Sequence, residues 1–191
     1  AGGDGAMMAT YRAPAEAGVS FGRAPSRLRP PPAAGRQFIL SDAAGGVEGR
    51  GIRIAGYAAL FGVRDAGRDV ILPGAFAATL AGRNDPLPLY WQHRPSQRIG
   101  WIESAREDAK GLRVIARLDA GTRGAVLLGR SAVSGLSFGY RAREFRRTPE
   151  GRELRAVELF EVSLVTHPLQ HGARVHWIES ESQRKLGPLS G

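Results

Sequence analysis

Three segments far apart in the chain each carry one group that hydrolysis by a serine nucleophile needs. Residues 89–93 end an apolar run in His93, residues 133–140 hold Ser137 between small and apolar neighbours, and residues 159–166 hold Glu161 in an otherwise apolar run. A serine hydroxyl is a weak nucleophile until a base takes its proton. The base works best when a third group fixes its tautomer and steadies its positive charge. His93 suits the base, Ser137 the nucleophile and Glu161 the third group. If its strand alternates, Ser137 shares a face with Gly135 and Gly139, while Leu136 and Phe138 point the other way into a core. Small neighbours let a substrate backbone come close. Glu161 needs a partner, because an unpaired buried carboxylate is costly. His93 and Arg98 are both open as that partner. Taken singly, His93 reads as readily as a surface histidine capping a strand, and Ser137 as an ordinary polar strand position. Ser134 and Ser131 are weaker alternatives to Ser137, and Glu158 lies on the opposite strand face from Glu161. An oxyanion also needs donors. The glycine-rich turn at 119–124 offers backbone amides at a helix start, and Arg123 or Arg130 could act through a water.

These groups must be held by strands. The pattern predicts strands at 38–40, 51–61, 69–74, 86–92, 98–104 and 111–118, the last two joined by the polar turn at 106–110. Residues 75–81 read as a short helix stopped by Gly82, and 122–130 as a helix with Thr122 at its N-cap. Residues 133–145 and 153–165 read as two long strands of a hairpin, joined by the polar stretch at 146–152. Mostly strands with two short helices suggest a mainly β fold, a closed or nearly closed barrel. The protein-like unit is expected over 37–178. Residues 1–36, rich in Ala, Gly, Pro and Arg, read as a disordered leader, and 179–191 as a flexible tail. Met7 and Met8 suggest a natural start near that point.

The 191 residues and 42% hydrophobic content suit one globular domain. The absence of cysteine excludes disulfides and thiolate metal sites. No apolar run approaches the ~20 residues of a membrane span, and 1–36 lack the apolar core of a signal peptide, so a soluble intracellular protein is expected. The net charge is +9, almost entirely from arginine, with lysine only at 110 and 185. The arginines are scattered and not gathered on one helix, so specific DNA binding is not expected.

In order, the segments Gly56-Tyr57-Ala58-Ala59-Leu60-Phe61, Leu72-Pro73-Gly74-Ala75-Phe76, Trp91-Gln92-His93 with Arg98-Ile99-Gly100, Gly111-Leu112, Gly135-Leu136-Ser137-Phe138-Gly139-Tyr140 and Glu161-Val162-Ser163-Leu164-Val165-Thr166-His167-Pro168 carry a resemblance. Over roughly 38–176 the chain resembles the prohead (capsid maturation) serine proteases of tailed phages. The resemblance implies a fold similar to the herpesvirus assemblins, a β-barrel flanked by a few short helices. It implies His93 as general base, Ser137 as nucleophile, and Glu161 as third member, with His167 as the fallback. Phe138 stands where a smaller aliphatic residue is common, and Leu169-Gln170-His171 replaces the usual continuation after Pro168. The implied substrates are the scaffolding segment of the major capsid protein and the protease itself, as a homo-oligomer. The implied place is the host bacterial cytoplasm, inside the immature capsid of a tailed phage, prophage or gene transfer particle. No cofactor, metal or membrane is implied.

Two other readings compete. His167, His171 and His176, at spacings of four and five and downstream of Glu161, loosely suggest metal ligands, though Pro168 and Gly172 oppose one continuous helix. The +9 charge allows a non-enzymatic capsid or DNA-associated protein.

Overall fold

The computed structural model describes the backbone of residues 38–39 and residues 51–180. The expected leader and most of the expected tail lie outside them. The described chain is mainly β. Its strands are β1 (Phe38–Ile39), β2 (Ile52–Leu60), β3 (Asp69–Ile71), β4 (Leu87–Trp91), β5 (Arg94–Glu107), β6 (Gly111–Leu118), β7 (Gly135–Thr148), β8 (Gly151–Val165) and β9 (Val175–Ser180). Helix α1 (Ala77–Ala81) follows β3 and α2 (Arg123–Gly129) follows β6. Gly82 ends α1, and the Thr122 hydroxyl accepts the Ala125 amide at the start of α2, as its side-chain chemistry predicts.

All strands join one sheet in the order β3-β8-β4-β5-β6-β2-β9, with β1 on β5 and β7 on β8. The closed barrel is not formed: no ladder joins β7 to β9. One isolated bridge, Gly135 to Arg174, draws the two ends together, with Leu136 N donating to Ala173 O at 2.9 Å and Val175 N to Ser134 O at 2.8 Å. Gly56 permits this approach, since a Cβ there would overlap the Arg174 carbonyl. The alternating strands send Ile54, Leu89, Ile102, Leu112, Leu118, Leu136 and Leu159 into one core, each essentially inaccessible to water. Phe76, just before α1, adds its ring edge-on to Phe138 at 5.2 Å. No helix among the described residues is long and apolar enough to cross a membrane.

β8 is the organising strand. It pairs antiparallel with β7 along one side. On the other it pairs parallel with β3 near its start, Ile71 opposite Leu154, and with β4 near its end, Tyr90 opposite Ser163. A register shift between Gly139 and Tyr140 leaves Phe160 as an additional residue in β8. Such a bulge bends a strand and re-aims its side chains.

Two departures from the sequence expectation bear on function. β9 was not anticipated; it is an edge strand on β2 whose Trp177 and Ile178 are exposed, so no buried alternation marks it. The strand expected at 98–104 also begins earlier, β5 starting at Arg94 directly after β4. Trp91 pairs with Arg94, and the two residues between them have positive φ, 53° at Gln92 and 57° at His93. This is the geometry of a two-residue type I′ hairpin turn, usually made by Asn and Gly. Pro95 is tolerated because the β4–β5 register slips between Tyr90 and Trp91, leaving an irregular stretch at 95–97.

A buried charge network ties β3 to β7 and β8. Arg152 Nε donates to Asp69 Oδ1 at 2.7 Å, and its Nη2 and the Tyr140 hydroxyl both donate to Asp69 Oδ2. Burial, and then the bond to Asp69, push the Tyr140 phenol well above its usual pKa.

Two stability measurements check this account. Gln92→Gly relieves a left-handed conformation and should stabilise the fold by about 1 kcal/mol, a rise in Tm of roughly 2–4 °C. Arg152→Ala strands the buried Asp69 carboxylate and should cost about 3 kcal/mol. Adding Asp69→Asn to Arg152→Ala should recover part of that loss in a double-mutant cycle read by urea unfolding.

Candidate active site

Three neighbouring strands, β7, β8 and β4, carry the site. β8 supplies Glu161, buried at 7% exposure. β4 delivers His93 through the left-handed turn that follows it, and β7 supplies Ser137 near its start. His93 Nδ1 lies 2.7 Å from Glu161 Oε1. Arg98 is not the carboxylate's partner; it pairs with Asp119 at 3.2 Å. An ionised carboxylate only accepts, so the imidazole donates through Nδ1–H and Nε2 is left as the basic nitrogen.

Ser163 completes this arrangement, and the sequence reading missed it. Its hydroxyl donates to Glu161 Oε2 at 2.6 Å and accepts the His93 backbone amide at 3.1 Å. One fully buried hydroxyl thus holds both the carboxylate and the backbone that bears the imidazole. A serine within Val162-Ser163-Leu164-Val165 resembles a core position; the available signal was its place two residues after Glu161, on the same strand face. Gln92 N donates to Leu164 O at 3.1 Å, fixing the other half of the turn to β8.

Gly139 stands opposite Glu161 in the β7–β8 ladder. A Cβ there would overlap Glu161 Oε1, so only glycine leaves the carboxylate where it meets His93. Ser137 stands opposite Ser163 on the same ladder. It is 7% exposed, so it occupies a buried position and not the open face expected from its glycine neighbours. No hydrogen bond joins Ser137 Oγ to His93 among the described residues. Their strands flank β8 on either side, two strand spacings or roughly 10 Å apart at the backbone. An imidazole and a hydroxyl reaching inward span much of that distance, and catalytic hydrogen bonds are often long before substrate binds.

The remaining named residues fall elsewhere. Ser131 is exposed at the end of α2 with φ 56°, and Ser134 accepts from Arg174 Nη1 at 3.2 Å. Glu158 faces outward and pairs with Arg141 and Arg143. His167 is exposed, its Nδ1 3.0 Å from Thr166 Oγ1, which also accepts Gln92 Nε2 at 2.9 Å; no hydrogen bond joins it to His93 among the described residues. The histidines do not converge: His176 packs edge-on against Tyr57 at 5.8 Å. Among the described residues no group of three or more His, Cys, Asp or Glu side chains could hold a metal ion. The Arg123 guanidinium lies 5.9 Å from the centre of the Trp91 ring, near the turn that bears His93.

A half-buried imidazole held by a buried carboxylate, with a serine across β8 from it, brings together the three group types that a serine hydrolase uses. The family described as caudovirus prohead serine protease matches residues 42–186, and the chain belongs to it. It is 31% identical to the prohead protease of Enterobacteria phage HK97 over 133 residues, 65% of this chain and 59% of that one. It is 32% identical over 116 residues to the capsid polyprotein of Pseudomonas phage PAJU2, 54% of this chain and 17% of that one. The matches thus span less than two thirds of these relatives' lengths. Among solved structures, KSHV protease in complex with a hexapeptide phosphonate inhibitor aligns at TM-score 0.49 and 18% identity, covering 71% of this chain and 68% of that one. Varicella-zoster virus protease aligns at 0.45 and 19%, covering 68% and 64%.

The hydrogen-bond chain can be read by NMR. The His93 Nδ1–H proton, held by a buried carboxylate, should resonate far downfield and exchange slowly in the wild-type protein. Gly139→Ala, which displaces Glu161, should abolish that resonance while near-UV circular dichroism stays native. Ser163→Ala should broaden it, since Glu161 and the turn lose their common anchor.

Proposed function

We propose that this protein is a serine endopeptidase acting in capsid maturation, with Ser137 as nucleophile, His93 as general base and Glu161 as the group that orients His93. The observation that carries the reading is the 2.7 Å contact of His93 Nδ1 with Glu161, which dictates a tautomer whose Nε2 can take a proton. In the first half-reaction, the Ser137 hydroxyl adds to the scissile carbonyl as its proton passes to His93 Nε2. The imidazolium so formed is steadied by Glu161. His93 then gives the proton to the leaving amine, the C–N bond breaks, and an acyl ester remains on Ser137. In the second half, His93 takes a proton from water, which attacks the ester and frees Ser137.

Family membership and the two phage relatives support substrates among capsid assembly proteins. We assign the scaffolding segment of the major capsid protein and the protease chain itself, cut inside the immature shell. The assignment covers a tailed phage, a prophage or a gene transfer particle alike. The oxyanion is assigned to backbone amides of the 119–124 turn, with Arg123 beside it.

Co-expression with the partner capsid gene, followed by mass measurement of the products, tests this. Ser137→Ala and His93→Ala should each reduce processing by at least ~10³-fold, and the double variant by little more, because the two groups act as a unit. Glu161→Gln should be milder by roughly tenfold or more. Wild-type processing by Ser137→Ala overturns the assignment.

A further inference from the structure

On the outer face of the β5–β6 hairpin a hollow of about 170 Å³ opens, lined by Ser104, Arg106, Arg113 and Ile115. Along β6, Arg113 and Ile115 alternate with the buried Leu112, Val114 and Ala116, so they point away from the core. Arg106 and Arg113 stand directly opposite each other in the ladder, and both guanidiniums leave the sheet on one face. Like charges placed this way destabilise a sheet. Both residues are half-buried, so water screens the repulsion only in part. Lys110, with Nζ 4.8 Å from the centre of the Tyr57 ring, adds positive charge at the same end of the hairpin. The acids nearby are committed. Asp108 feels the Arg106 charge through space, but its Oδ2 accepts the Tyr57 hydroxyl at 2.7 Å and its Oδ1 the Lys110 and Gly111 amides at 2.8 and 3.2 Å. Glu107 accepts the Phe76 amide at 2.8 Å, and Glu103 pairs with Arg53 at 2.6 Å. Among the described residues no hydrogen bond or ion pair joins Arg106 or Arg113 to a carboxylate.

We propose that this hollow binds a carboxylate supplied by an acidic peptide segment of a partner protein, with Arg106 and Arg113 gripping it from the two strands. The site does not depend on Ser137 being the nucleophile. Arg106 lies near the far end of β5 from the His93 turn, roughly 40 Å of strand away at ~3.3 Å per residue. A guanidinium offers a carboxylate two parallel N–H bonds. One carboxylate between two guanidiniums removes the repulsion that the sheet otherwise bears. The hollow admits the end of a glutamate or aspartate side chain, and Ile115 meets its methylene groups. A nucleic acid matches less well. It presents phosphates in series and needs a track of unanswered cations. On this face Arg53 already has Glu103, so the unanswered charge is one pair and not a track.

The test uses the full chain in a buffer free of phosphate and carboxylate. Two blocked hexapeptides are compared, alike but for two central residues, glutamate in one and glutamine in the other. In NMR titration the glutamate peptide should move the amide signals of Arg106, Arg113 and Ile115 and bind about tenfold more tightly, the worth of one charge-assisted pair. Arg113→Gln should bring the two peptides to within about twofold of each other, and so should Arg106→Gln. Each variant should melt at or above the wild-type temperature, because it removes one of two opposed charges. That result also shows that the fold survives the change. Equal binding of the two peptides by the wild-type protein, or a preference that outlasts both substitutions, overturns the proposal. So does a clear fall in the Tm of Arg113→Gln, which means that the chain's own acids answer the pair. Binding of a single-stranded oligonucleotide that requires Arg113, with no response to the glutamate peptide, assigns the hollow to phosphate and also rejects the proposal.

Discussion

The two oxygens of the Glu161 carboxylate carry the site. One accepts the imidazole N–H of His93 and the other the hydroxyl of Ser163. A carboxylate this deeply placed is tolerated only when such bonds replace the water it has lost. Each bond makes a demand on the surrounding fold. The first requires the β4–β5 turn to bring His93 over the sheet. The second requires the turn and the carboxylate to share one hydroxyl. The space for both comes from the missing side chain at Gly139, across the ladder on β7. Three strands from different parts of the chain are therefore constrained by one ionised group.

Much of the local structure could be read from residue types. Alternating apolar positions marked β2, β6 and the β7–β8 hairpin, and Thr122 marked the start of α2. Glu161 stood out because a charge in an apolar run requires a partner. What escaped the sequence was set by distant contacts. Nothing local told Arg98 from His93 as that partner; the pairing of β4 with β8 decided it. Gln92-His93 does not have the glycine and asparagine that advertise a I′ turn, so the strand looked as though it ended there. β9 has no buried face to create a pattern. The sheet stays open because β7 and the segment before β9 meet in only a single bridge, a long-range contact that no local pattern announces. Asp69, Arg152 and Tyr140 form a network across sequence gaps that no periodicity spans.

β8 also explains how remote segments come to act together. Its partner β7 lies one short turn away, so this hairpin can form from local contacts. Its parallel neighbours β3 and β4 arrive from much earlier in the chain and require long loops to close. Ser137 and Glu161 belong to the local hairpin, whereas His93 joins only through the non-local pairing. The Asp69–Arg152 contact fastens β3 to the opposite end of the same strand. Both ends of β8 are thus locked to its parallel side, one by charge and one by the turn.

The left-handed pair Gln92-His93 has a further meaning. Non-glycine residues adopt this conformation reluctantly, and here two amide bonds to β8 compensate, Gln92 N to Leu164 O and His93 N to Ser163 Oγ. A newly made or loosened polypeptide without those tethers would relax the turn, and the imidazole would swing away from its acid. The architecture therefore acts as its own safety catch: the His93–Glu161 contact exists only in a molecule whose β4 has docked on β8.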